Sequence, residues 1–140
     1  MKCICEQCEK GELHKVTRDV EISHKHLKKT VQDVSGLFCD VCEEIIFDKT
    51  TDSATRYAAA NDALVLAARE EVAKKLKSAR TKLKLTKVRA SLLSGGGHNA
   101  FSRYESGAAQ PVAAVVNLFT LLAQHPELLQ EAEQIGQQYA

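Results

Sequence analysis

Two Cys-x2-Cys pairs, Cys5 and Cys8 in "CEQC" and Cys39 and Cys42 in "CDVC", stand 30 residues apart in this chain. No other feature restricts the fold as strongly. Each pair offers two thiolates to one edge of a tetrahedron. Two such edges close a four-sulfur site of the kind Zn²⁺ fills with bonds of about 2.3 Å. Four protein ligands leave no open coordination position, so the expectation is one structural zinc ion per chain. Cys3 competes with Cys5 for a place in the set; the two-residue spacing selects Cys5 and leaves Cys3 as a spare thiol. Two other readings stay open: reduced, metal-free thiols, and a thioredoxin-like redox pair, although no βαβ pattern surrounds either motif. With four cysteines at hand, His14, His24, His26, His98 and His125 read as surface residues. Gly11 and Gly36, near the two pairs, suit tight chain reversals.

The compartment follows from what the sequence lacks. The start, "MKCICEQCEKG", has no apolar core of a secretory peptide. The longest nearly apolar run, Val112 to Ala123, is too short to span a bilayer and contains Asn117 and Thr120. A cytoplasmic protein without a membrane role is expected, and in a reducing compartment the cysteines favour metal over disulfides.

Patterning divides the chain into an α+β zinc-binding domain over 1–68 and an all-α domain over 69–140. Before residue 50, "ELHKVTRDVEIS" and "HLKKTVQDVSGLF" alternate in part, as at Val20 and Ile22, and predict two or three short strands. After it, a stretch rich in Ala, Leu, Lys and Glu and free of Gly and Pro predicts helix, with Thr50, Thr51 or Asp52 as its cap. One helix closing the first half and another opening the second are expected, meeting near Ala67 to Glu70; a single bridging helix is the alternative. Short helices follow. Thr86 caps "KVRASLL", Gly107 ends "HNAFSRYE", and Pro111 and Pro126 open two more. Val112, Val115, Val116, Phe119 and Leu122 share one face of the helix after Pro111.

Net charge is only +1, so no global basic field announces a polyanion. Lys74 to Arg89 nevertheless holds eight Lys or Arg and no acid. Such a segment is either a phosphate-contacting face or a solvated helix face. The stretch that follows, "GGGHNAFSRYESG", reads as a turn and a reading helix. Gly97 is the expected N-cap, and Ala100, Phe101 and Tyr104 form its apolar face. Asn99, Ser102 and Arg103 lie together on another face. Asn can pair with adenine N6 and N7 in bidentate fashion, and Arg with guanine O6 and N7. Ser102 can reach a base edge or a phosphate. Ala90 on the preceding helix is small enough for a close crossing, which completes a helix-turn-helix. Lys82, Lys84 and Lys87 are the expected phosphate contacts. The glycines do not form a phosphate loop, since no Gly-x4-Gly-Lys-Ser/Thr and no leading strand are present. A helical domain with no nucleic-acid role is the bland alternative.

"CEQCEKGEL", "GLFCDVCEE", "KLKLT", "GGGHNAFSRYESGAAQP" and "HPELL" together resemble the MqsA family, the zinc-containing antitoxins of bacterial toxin–antitoxin pairs. The second half also resembles helix-turn-helix domains of the phage-repressor class. The resemblance implies a zinc domain that neutralises an mRNA-cleaving ribonuclease toxin, and a second domain that dimerises and binds the operon's own palindromic operator. It places the metal ligands at Cys5, Cys8, Cys39 and Cys42 and the base readers at Asn99 and Arg103. The repressor class further implies an ion pair between Arg80 and Glu105. The chain departs from the family in carrying Cys3 and in lacking a proline-containing linker, and no toxin-contacting residue is carried over. The expected protein is a homodimeric, non-enzymatic antitoxin and autorepressor; a stand-alone regulator without a toxin is the alternative. The dimer surface is expected on the stripe after Pro111 or near Leu128 and Leu129, unless either is the domain's own core. No acid–base constellation accompanies the cysteines, which argues against an enzyme.

Overall fold

A computed structural model describes residues 2–139. The chain divides into two compact units, Met1–Ala68 and Arg69–Ala140. An antiparallel sheet region near the cysteine cluster precedes the helices, as the patterning predicts. Among the described residues, no helix is long and apolar enough to cross a membrane.

The first unit is built on a hairpin of β1 (Leu13–His24) and β2 (Leu27–Cys39), with a three-residue β3 (Ile45–Phe47) on the far edge of β2. At 12 and 13 residues, β1 and β2 are longer than the partial alternation suggests. The reason is a bulge. Arg18 pairs with Val34 but Val20 pairs with Val31, so Asp19 faces both Gln32 and Asp33. Asp33 takes a left-handed φ of 50°, and its amide donates to Asp19 Oδ1 at 2.9 Å. The extra residue lets Val31 and Val34, three apart, both turn inward, where a regular strand would put them on opposite faces. They join Ile22, Phe38, Ala60 and Leu64 in a small core. Ala60 and Leu64 belong to α1 (Ser53–Lys82). The first turn of α1 is tied to β2: Ser53 Oγ accepts the Ser35 amide at 2.9 Å, and the Arg56 guanidinium donates to the Gln32 and Asp33 carbonyls.

The expectation of two helices meeting near Ala67 to Glu70 gives way to one. α1 runs 30 residues without interruption, because nothing in its sequence stops it. It ends where Lys84 adopts a left-handed φ of 55°, with the Leu85 amide bonded back to the Arg80 carbonyl at 3.1 Å.

The second unit continues with α2 (Lys87–Leu93), α3 (Ala100–Ser106), α4 (Ala113–Gln124), a 3₁₀ turn at Pro126–Leu128 and α5 (Leu129–Gln138). Thr86 caps α2, accepting the Arg89 amide at 3.2 Å. Gly107 ends α3 in the left-handed region. The core centres on Phe101 and Phe119, whose rings lie 4.6 Å apart, with Leu76, Leu83, Leu85 and Ala90 around them. Val115 and Leu122 of α4 are buried in it as well, so most of the stripe after Pro111 serves the unit's own core. Val112 remains exposed, as do Leu128, Ile135 and Tyr139, spaced seven and four apart along the last helical segment.

Candidate metal centre and nucleic-acid interface

The chain before β1 and the β2–β3 connection bring Cys5, Cys8, Cys39 and Cys42 together. Their four Sγ atoms lie within 4.8 Å of one another. Cys5 and Cys42 sulfurs are 3.7 Å apart, and so are those of Cys8 and Cys39. A tetrahedral ion with bonds of about 2.3 Å requires sulfur–sulfur edges of about 3.8 Å, so the cluster is positioned to hold a metal ion. Cys3 is exposed and outside the cluster, and no histidine joins it among the described residues.

Backbone amides prepare the thiolates. Gly11 N–H points at Cys8 Sγ, and the Val41 and Cys42 amides point at Cys39 Sγ, all at 3.4 Å. The amides of Lys10 and Gly11 lower the Cys8 thiol from 9.0 to about 7. Cys42 goes the other way. The Glu44 amide favours its thiolate, but desolvation and the neighbouring thiols outweigh that and push it up to about 12. Four thiolates this close cannot all ionise without a cation among them; the donor set calls for one.

Neither glycine makes the chain reversal expected of it. Gly36 sits inside β2, between Val16 and Phe47, and a Cβ there would meet the Ile46 carbonyl at 2.5 Å. Its role is to let β3 approach. A Cβ on Gly11 would run into Cys39 Sγ, so that glycine makes room for the cluster. The reversal falls instead at Glu9, with φ 56° and its amide bonded to the Cys5 carbonyl at 2.8 Å. One supporting residue was not legible from spacing. Asp40 Oδ1 accepts the Glu12 amide at 2.8 Å, and Oδ2 faces His14 Nε2 at 3.4 Å. The Glu12 amide and His14 hold the Asp40 carboxyl below its usual range.

In the second unit, α2 and α3 cross at Ala90 and Ser91, both fully buried. Ser91 Oγ donates to the Lys87 carbonyl at 2.7 Å and accepts the Phe101 amide at 2.9 Å, so one hydroxyl fixes the start of α3 against α2. A serine in a short helix carries no sequence signal for this. Gly97 is not the N-cap. Asn99 holds that place, and Gly97 supplies the carbonyl that accepts the Ala100 amide at 2.9 Å. Gly95, at φ 75°, makes the turn, and Gly96 leaves space for Ala100.

Asn at an N-cap normally accepts an amide of the first turn. Asn99 makes no such bond. Arg103 and Ser102, one turn on, are exposed as well. Among the described residues the Asn99 amide and the Arg103 guanidinium have no side-chain partner. Behind them, Arg80 Nε donates to Glu105 Oε1 at 2.8 Å, with the two side chains 16% and 6% exposed. Arg80 also donates to the Leu85 carbonyl at 3.0 Å, which joins the end of α1, the start of α2 and α3. Among the described residues Glu105 Oε2 is buried without a hydrogen bond, and Lys87 Nζ lies 3.7 Å from it. Lys82 and Lys84 are exposed.

The first unit thus carries a metal-competent cysteine cluster and the second a helix pair with exposed polar side chains. Residues 1–133 match the family described as the antitoxin component of bacterial toxin-antitoxin system, MqsA. Antitoxin MqsA of Escherichia coli (strain K12) is 40% identical over 129 residues, covering 91% of this chain and 97% of its own length. The chain belongs to the MqsA family, the antitoxin components of bacterial toxin–antitoxin systems.

Proposed function

We propose that this antitoxin neutralises a ribonuclease toxin through residues 1–68 and represses its own operon through residues 69–140. It works in the cytoplasm as a homodimer and catalyses no reaction. The metal is one Zn²⁺ per chain, held by Cys5, Cys8, Cys39 and Cys42; all-thiolate tetrahedral sites suit zinc, and its role here is structural. Asn99 and Arg103 read base edges in the major groove. Ser102, Lys82, Lys84 and Lys87 contact the sugar-phosphate backbone, and the Arg80–Glu105 pair sets the angle of α3. The exposed stripe of Leu128, Ile135 and Tyr139 joins two copies, so that two reading helices meet successive major grooves of a palindrome.

The observation that carries the DNA reading is the free Asn99 amide at a helix start, one turn from the equally free Arg103. A capping bond forgone costs about 1 kcal/mol, which a reading role repays on binding. The experiment is titration of duplex DNA from upstream of the gene. Arg103→Ala should weaken binding by about 1–3 kcal/mol and relax preference at one base pair per half-site. Removing charge at Lys82 or Lys84 should weaken all sequences alike and reduce the salt slope by about one unit per lost contact. Unchanged binding by Arg103→Ala would overturn the assignment.

A further inference from the structure

We propose that His98 is a third specificity-determining residue of the DNA-reading surface; this rests on the reading of α3 as a recognition helix. A hollow of about 390 Å³ lies against the start of α3; its lining includes Gly97, His98, Asn99, Arg103, Tyr104 and Gln110. Five of these six, all but Gly97, carry side chains able to bond base edges. Gln110 is held there because the Ala109 amide donates to the Arg103 carbonyl at 3.2 Å. The hollow thus gathers His98 with the two proposed readers and does not leave it as an isolated surface residue.

His98 has no competing employment. It is exposed, and among the described residues its ring takes part in no hydrogen bond, ion pair or metal-competent cluster. The three residues before it are glycines, and a Cβ on Gly97 would meet nothing within 4 Å. His98 is therefore the first side chain on this approach, next to bare backbone that a bulky duplex can come close to.

Geometry and chemistry favour a base edge. Successive Cα atoms are about 3.8 Å apart, close to the ~3.4 Å step between stacked base pairs. A duplex placed so that Asn99 reaches one base pair puts the neighbouring pair within range of His98. An imidazole N–H can donate to purine N7 or guanine O6, acceptors that differ between base pairs in the major groove.

The test is selection of binding sites from a random-sequence duplex pool by full-length wild type, His98→Ala and Arg103→Ala, each read by sequencing. His98→Ala should keep the Arg103-dependent preference and lose discrimination of about 5- to 150-fold at one further base pair per half-site. If it selects the wild-type sequences while Arg103→Ala does not, the His98 proposal fails and the reading of α3 stands. If it weakens binding evenly with no preference lost, His98 is a phosphate contact and the proposal is overturned. If neither variant changes the selected sequences, both fail together.

Discussion

The two units reach order by different means. The second closes around nine buried residues with two aromatic rings in contact at their centre. Among the described residues, the first has a core of six buried residues between a hairpin and part of α1, and that core includes nothing from residues 2–12 or from the Cys39–Cys42 turn. Those segments are gathered at the cysteine cluster. A hydrophobic core tolerates loss in proportion to the volume removed, whereas a metal site of four ligands fails when one is lost. The same chain should thus show two kinds of fragility, and variants can separate them.

The largest effect is expected at the cluster. Cys39→Ser should abolish tight metal binding, forfeiting a large part of the ~10–16 kcal/mol that a complete site supplies in zinc-finger peptides, and unravel the first unit. Metal analysis of the purified variant checks this; one bound ion per chain and an unchanged melting curve would break the comparison. Phe101→Ala should cost about 3–5 kcal/mol in the second unit while the metal content stays at one per chain. Loss of metal in that variant would mean that the units are not independent in this sense.

Arg80→Ala should cost about 3 kcal/mol, because it leaves the Glu105 carboxylate buried without its partner. The double variant Arg80→Met, Glu105→Leu should regain most of that stability yet bind DNA more weakly than wild type. Recovery of both would show that the pair does not orient α3.

The pH response should also differ between units. In the metal-free protein the folded Cys8 pKa is depressed from 9.0 to about 7, so its contribution is full above pH 9 and is lost as pH falls through about 7. Cys42, raised to about 12, has the opposite sign, contributing below pH 9 and losing that as pH rises through about 12. Metal must displace the Cys42 proton at neutral pH, so affinity should fall steadily as pH is lowered from 8 to 6 in a competition titration. A flat profile would contradict a thiolate site. The smallest effect is at Lys84. Glycine removes the strain of its left-handed backbone, so Lys84→Gly should stabilise the second unit by up to about 1 kcal/mol while flattening the salt dependence of DNA binding.

What could be read from the sequence followed the range of the interaction. Cysteine spacing is local chemistry, and the four cysteines that the spacing picks out are the ones the fold brings together. The Thr86 cap and the Gly107 stop are local too. Features that depend on a partner elsewhere in the chain were hidden. The bulge at Asp33 makes the spacing of Val31 and Val34 look irregular until the opposing Asp19 is seen. Periodicity identifies an apolar face after Pro111 but cannot say whether the unit itself or another copy covers it; Val115, Phe119 and Leu122 turn out to be internal. Ser91 reads as an ordinary helix residue until the Phe101 amide is placed on its hydroxyl. The Arg80–Glu105 pair spans 25 residues, and only the likeness to repressor domains pointed to it.

The proposed contrast between a metal-held first unit and a core-held second unit is tested most directly by residue-resolved NMR of the full chain, with and without a chelator at neutral pH. Chelation should collapse the amide dispersion of residues in β1, β2 and β3 while those of α2 to α5 keep their positions. Retention of the dispersed strand resonances after complete metal removal, or loss of both sets together, would contradict it.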